Sequence, residues 1–205
     1  MSCRTPFLND FPLDREGRCP LCRSGLRGFD SAYSFGAYQG VLRQLVHLYK
    51  YSRIKTLSRP LAELMTRVLP LEEQFDAIVP VPLHWMRRWQ RGFNQSALLA
   101  QILSRRRGIP MRNALRRTHS TRTQAGLSNH ARRENVARAF RARGVDGQRL
   151  LLIDDVMTTG STAAACARAL KRAGARRVTL LTLARADRRL FTSREETREI
   201  IGGRN

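Results

Sequence analysis

Apolar positions in this chain fall into blocks with two different periods. In YQGVLRQLVHLYKYS, Val41, Leu42, Leu45, Val46, Leu48 and Tyr49 recur at the three-to-four spacing of one helical face. LSRPLAELMTRVLP repeats that spacing, with Ser58 as candidate N-cap, Pro60 in the first turn where it is tolerated, and Pro70 closing the helix. FNQSALLAQILSRRRG reads as a third helix stopped by Gly108, and TTGSTAAACARALKRAGA as a fourth with Gly174 at its end. Between the helices lie the short apolar runs FDAIVPV (Phe75–Val81), LLLID (Leu150–Asp154) and VTLLTLA, each short and apolar enough for a strand buried on both faces. Apolar strands alternating with helices predict an α/β fold with a parallel sheet.

Two stretches break the pattern. Arg112–Arg149 is polar, basic and poorly periodic, and reads as an excursion holding a hairpin or short helices. The first thirty residues contain Cys, Pro and Gly with little periodicity, so they read as a small loop-rich module that cannot bury a core alone. The predicted division is therefore a cysteine-containing module at 1–30, an α/β domain at 31–190 and a charged tail at 191–205.

Composition leaves the globular reading intact: 205 residues, 42% apolar and 26% charged. No run approaches the ~18–20 apolar residues of a membrane helix, and MSCRTPFLNDFP lacks the basic-then-apolar layout of a signal peptide. A cytoplasmic protein without membrane insertion is the expectation. Charge changes the picture more. Lys and Arg number 38 against 16 Asp and Glu, a net +22, and 35 of the 38 are Arg. Between Asp76 and Glu134 no acid occurs, while that span carries 12 Arg. Such a field attracts phosphates, nucleic acid or acidic lipid; the alternative is a solvated basic face.

Chemistry concentrates in LLLIDDVMTTGST, Leu150–Thr162. A buried strand delivers Asp154 and Asp155 to its carboxyl end, where ligands bind in open α/β sheets. Val156 and Met157 then turn the chain, and Thr158, Thr159, Gly160, Ser161 and Thr162 open a helix. That start offers unpaired backbone N–H groups, hydroxyl donors and the positive end of a helix dipole, a cradle for phosphate. Gly160 lets the backbone approach the anion. Paired acids ahead of a phosphate cradle suit a ligand with hydroxyls on one side and phosphate on the other, as in a ribose 5-phosphate. Read blandly, Asp155 caps the helix and the hydroxyls satisfy backbone groups.

The string resembles the phosphoribosyl pyrophosphate (PRPP) signature of type I phosphoribosyltransferases. IVPVPLHWMRRWQRGFNQSALLA (Ile78–Ala100), RTHSTRTQAGLSNHARRENVARAF (Arg117–Phe140) and the cysteine module extend the resemblance to the ComF (competence protein F) family, over about Cys3 to Ala186. The resemblance implies the type I phosphoribosyltransferase fold, with a hood over the sheet and an N-terminal zinc-ribbon-like module. It implies Asp154 and Asp155 on the ribose hydroxyls, Thr158–Thr162 around the 5′-phosphate, and Val81, Pro82 and Leu83 at the pyrophosphate loop. Arg117–Phe140 would be the hood, with Arg122, Gln124 and Arg132 as contacts. Phosphoribosyl transfer from PRPP with Mg²⁺ is the implied reaction. Closure of the hood would exclude water from an oxocarbenium-like centre. The rival reading is a non-catalytic competence factor that handles single-stranded DNA and uses PRPP as effector or not at all.

Arg87, Arg88 and Arg91 are candidates for anion contacts, while Trp85 and Phe93 fit a core better than a base-stacking platform. Cys19-Pro-Leu-Cys22 with Cys3 upstream reads as a Zn²⁺ site before a disulfide, or as a redox-inert pair. ComF members carry two such knuckles; here Cys3 stands without a partner, leaving three thiolates. Cys166, inside an Ala-rich helix, reads as core, and His47 as a partly buried residue on the apolar stripe.

Overall fold

The computed structural model describes residues 28–52, 54–83, 92–118 and 139–186. In chain order these form β1 (Ser31–Ala37), α1 (Gly40–Tyr51), a 3-10 turn at Lys55–Leu57, α2 (Ser58–Thr66), β2 (Ala77–Pro80), α3 (Gln95–Arg107), β3 (Leu115–Arg117), β4 (Phe140–Ala142), β5 (Arg149–Met157), α4 (Ser161–Arg172) and β6 (Arg177–Arg185). The order β1-β6-β5-β2 makes one sheet, parallel throughout, and β3 pairs antiparallel with β4. Four strands and four helices thus bear out the parallel α/β expectation; of the hairpin or short helices expected of the basic excursion, the described residues show the antiparallel β3–β4 pairing, and residues 119–138 lie outside them.

Alternate residues of the central strands feed two cores. Leu150, Leu152, Val178 and Leu180 pack with Cys166 and Leu170 of α4 and with Leu115 and Phe140 of the ribbon. Leu151, Ile153, Leu181 and Leu183 pack with Val46 and Tyr49 of α1, Leu61 and Met65 of α2, and Leu99 and Leu103 of α3. The chain therefore leaves β2 over one face, by α3, and leaves β5 over the other, by α4. After α3 it passes outside β2, where Met111 forms a parallel bridge to Ile78. The carboxyl ends of β2 and β5 consequently diverge, which is the switch point where open α/β sheets hold ligands.

Several local expectations are corrected. β1 has little apolar signature: beside Ala32 and Tyr33, which enter the two cores, the buried Ser34 pairs its hydroxyl with Thr182 at 2.7 Å and the half-buried Ser31 pairs with Thr179 at 2.9 Å. On α1 the buried face is narrower than the stripe predicted: Val46 and Tyr49 are buried, whereas Val41 and Leu48 are 70% and 41% exposed. His47 is exposed, its ring 4.7 Å from that of Tyr51. Ser58 does not cap α2. The 3-10 turn already winds the chain there, so Ser58 is helical and its hydroxyl donates to the Lys55 carbonyl at 2.6 Å. Phe29, assigned to the N-terminal module, is buried in the α/β core.

The correction that matters most for chemistry is the length of β5. It runs past Asp154 to Met157 because β6 offers a pairing partner as far as Arg185. Val156 and Met157 are therefore strand rather than turn, and α4 begins at Ser161, later than predicted. Among the described residues no helix is long and apolar enough to cross a membrane.

Candidate functional site

Asp154 and Asp155 lie in the second half of β5, beside the end of β2. Val81, the residue after β2, donates its N–H to the Ile153 carbonyl at 2.9 Å, and its own carbonyl accepts from Asn94 Nδ2 at 3.1 Å. Both backbone groups of Val81 are thus engaged, and Pro82 has no N–H to offer. Asn94 also caps α3, its Oδ1 accepting the Ala97 N–H at 3.4 Å. This arrangement aims the start of α3 at the carboxylates: Ser96 Oγ donates to Asp154 Oδ1 at 3.1 Å.

From the other side comes the end of α1. Lys50 Nζ stands 3.0 Å from Asp155 Oδ1, with the two side chains 16% and 11% exposed. Tyr49, one residue earlier, is buried and donates its hydroxyl to the Gln95 carbonyl at 3.0 Å, tying the end of α1 to the start of α3. Its ring lies 5.6 Å from that of Phe93, which confirms Phe93 as a core residue.

Remaining contacts of the pair are local. Asp154 Oδ1 accepts the Asp155 N–H at 2.9 Å, and Asp155 Oδ1 accepts the Val156 N–H at 2.7 Å. Each carboxylate thus spends Oδ1, and among the described residues neither Oδ2 has a partner. Although part of residue 154 reaches the surface, its carboxyl is withdrawn from water. That desolvation first, and the Asp155 charge second, push its pKa up to about 7, against the opposing pull of Lys50, the Asp155 N–H and Ser96. Burial, with the Asp155 charge behind it, also holds the Tyr49 hydroxyl protonated. Cys166 is fully buried, and burial followed by the Asp154 charge raises its thiol, so it is a core residue and no nucleophile.

Beyond Met157 the exposed Thr158 and Thr159 lead to Gly160 at φ 71°, a left-handed turn that delivers Ser161 and Thr162 to the first turn of α4. Thr159 Oγ1 accepts the Ser161 N–H at 3.3 Å and shares a 2.9 Å bond with the Ser161 hydroxyl. Predicted residues 154, 155, 158–162 and 81–83 thus converge at one end of the sheet. Arg87, Arg91, Arg122, Gln124, Arg132, Cys3, Cys19 and Cys22 lie outside the described residues, and among those described no three His, Cys, Asp or Glu converge as a metal site. Lys50, Tyr49 and Ser96 were not singled out by sequence reasoning. Lys50 carried one faint signal, being one of three Lys in a chain that otherwise uses Arg.

A family model described as phosphoribosyl transferase domain matches residues 94–201, from the Asn94 cap through β5, the Gly160 turn and β6. Competence protein F of Haemophilus influenzae is 36% identical over 182 residues, covering 82% of this chain and 78% of that protein. The chain belongs to the ComF family of phosphoribosyltransferase-domain proteins. DNA utilization protein YhgH of Escherichia coli K12 is 40% identical over 157 residues, 72% of this chain and 69% of that protein. Competence protein ComFC of Bacillus subtilis is 27% identical over 154 residues, 73% and 62% respectively. The fold expected of this ComF member, a type I phosphoribosyltransferase sheet with flanking helices, is the one observed; the zinc-ribbon-like module lies outside the described residues. α1 and Lys50 lie outside the matched domain.

Proposed function

We propose that this protein binds PRPP at the carboxyl end of β5 and transfers its phosphoribosyl group to a base, releasing pyrophosphate. The observation that carries this reading is the pair of adjacent carboxylates, each fixed through Oδ1 and, among the described residues, open at Oδ2, ahead of a left-handed turn into a helix start. The open oxygens accept hydrogen bonds from the ribose 2′- and 3′-hydroxyls, and their charge favours the positive anomeric carbon that develops as the bond to pyrophosphate breaks. N–H groups of the first α4 turn, with the hydroxyls of Thr158, Thr159, Ser161 and Thr162, receive the 5′-phosphate. The carboxylate pair does not make a Mg²⁺ site by itself, because an ammonium already sits on Asp155. Mg²⁺ belongs in this reading to the pyrophosphate and ribose oxygens, and no protein step runs through it.

The test is ligand-induced stabilisation of the full chain. PRPP with Mg²⁺ at about a hundred times its Kd adds about 2.7 kcal/mol of stability, and the Asp154→Asn, Asp155→Asn double variant abolishes the rise in Tm. No rise at millimolar PRPP overturns the reading.

A second reading is favoured by the names of the relatives, a competence protein and a DNA utilization protein. In it the same PRPP site serves as a sensor on a DNA-handling factor. Pyrophosphate release that depends on one particular base supports the enzyme. Salt-dependent binding of single-stranded DNA, unaltered by the two Asn substitutions and without base-dependent release, supports the second reading. Zinc held by Cys3, Cys19 and Cys22 is a separate proposal, tested by metal content of the purified protein.

A further inference from the structure

We propose that Lys50 is a positioning residue that neutralises Asp155 through one oxygen and thereby keeps the other edge of the carboxylate pair open for a vicinal diol. The inference deepens the PRPP reading and rests on it only for the identity of the ligand.

Three observations carry it. First, the pair is clamped by two helix ends that are themselves joined. Tyr49 ties α1 to α3 through the Gln95 carbonyl, the neighbouring Lys50 takes Asp155 Oδ1, and Ser96, next to Gln95, takes Asp154 Oδ1. The ammonium is thus delivered to a fixed place by a buried anchor. Second, the contact uses one carboxylate oxygen. Third, the chain uses Arg at 35 of its 38 basic positions, yet a Lys stands here. The difference is chemical: a guanidinium is a planar fork that engages both oxygens, an ammonium a point charge that engages one. This molecule shows the other case at Asp76, where Arg149 reaches Oδ1 at 3.2 Å and Oδ2 at 3.4 Å and leaves neither oxygen open.

The groups facing the pair from each packed element are Lys50 and Tyr49 of α1, Ser96 of α3 and Cys166 of α4. Of these, Lys50 supplies the positive charge. Without it, two adjacent carboxylates stand withdrawn from water and uncompensated, at a cost that grows as they ionise.

The experiment compares the full chain with Lys50→Met and Lys50→Arg, measuring ligand-free thermal stability from pH 5 to 9 and calorimetric affinity for ribose 5-phosphate, PRPP and inorganic pyrophosphate. Lys50→Met is expected to lose stability increasingly towards pH 9, and Lys50→Arg to follow the wild type. Both are expected to bind ribose 5-phosphate about tenfold more weakly, Arg because its fork closes the open edge. A stability loss in Lys50→Met that is equal at pH 5 and pH 9 overturns the counter-ion role. Unchanged ribose 5-phosphate affinity in Lys50→Arg overturns the open edge. Loss confined to pyrophosphate makes Lys50 an anion contact and overturns the proposal. Should Lys50→Met fail to fold, adding Asp155→Asn is expected to restore folding, since no uncompensated charge remains; failure to restore it counts against the proposal. A wild type that binds none of the three ligands overturns the PRPP reading and the open edge with it, while the ligand-free pH series still decides the charge role of Lys50.

Discussion

At the amino end of β5 the exposed Asp76 accepts the Arg149 backbone N–H at 2.7 Å and takes the Arg149 guanidinium on both oxygens. At the carboxyl end of the same strand, Asp154 and Asp155 are shielded from water, touched on one oxygen each, and balanced by one ammonium at 3.0 Å. Asp76 is held below the usual carboxylate range, by the Arg149 side-chain bond before all else, and Asp154 is held above it by desolvation. Asp76 is spent on joining β2 to β5. Among the described residues the pair at the other end retains unused acceptors, and that unmet bonding separates a candidate binding site from a structural tie.

The largest way to break this contrast is to remove the acceptors. Asn at 154 and 155 should eliminate the PRPP-dependent rise in Tm, whereas Asn at 76 should leave the rise intact, because the strand end it serves lies at the far end of the sheet. A rise lost equally in both would mean that the site depends on overall strand geometry rather than on the two carboxylates.

What sequence could show of this contrast follows from chain distance. Leu150–Thr162 was legible because strand, acids, glycine turn and helix start are contiguous, so one string carries the acceptors and the candidate phosphate cradle together. Lys50 was not, because its carboxylate partner lies more than a hundred residues along the chain, and nothing in an amphipathic helix says which of its last residues meets another element. Ser96 was hidden similarly: the cap at Asn94 was not recognised, and only the resulting helix direction aims Ser96 at Asp154. β1 was invisible for the opposite reason. Its buried positions are a small Ala32, Tyr33 and Ser34, and the hydroxyls of Ser31 and Ser34 are satisfied by threonines of β6, so burial there leaves little apolar signature.

The next test sets the two ends against pH. Asp154 holds its proton more tightly folded than unfolded, so its contribution favours the folded state at low pH. That contribution disappears as pH rises from the ordinary carboxylate value through about 7, at a limiting slope of about 1.4 kcal/mol per pH unit. Asp76 works in the reverse sense: its lowered value favours folding at neutral pH, and the benefit is lost on acidification. Urea unfolding of the ligand-free protein from pH 3 to 8 should therefore show the upper slope flattened by Asp154→Asn and the lower slope flattened by Asp76→Asn. A common effect of both variants on one limb would erase the distinction between the ends.

A smaller effect belongs to the turn that follows the pair. Gly160 sits at φ 71°, and a Cβ there would meet Met157 Sδ at an ordinary 3.7 Å, so the strain of a substitution is conformational rather than steric. Gly160→Ala is expected to lower stability by about 1–2 kcal/mol, and Gly160→Asn by less, because Asn visits the left-handed region more readily. Equal losses in the two variants would point to crowding instead.

The smallest effect is expected at Asp76 itself near pH 7. Its carboxylate and the Arg149 guanidinium are both exposed, so the attraction between them is screened by water and salt. Asp76→Asn keeps an oxygen able to accept the Arg149 backbone N–H, which is the bond that joins the start of β5 to the approach of β2. Tm should therefore shift slightly in low salt and converge on the wild type as salt is raised. Asp76→Ala, which removes that acceptor as well, should keep a salt-independent deficit. If the Asn and Ala variants behave alike at high salt, the backbone bond contributes nothing, and the amino end of β5 is held by its place in the sheet alone.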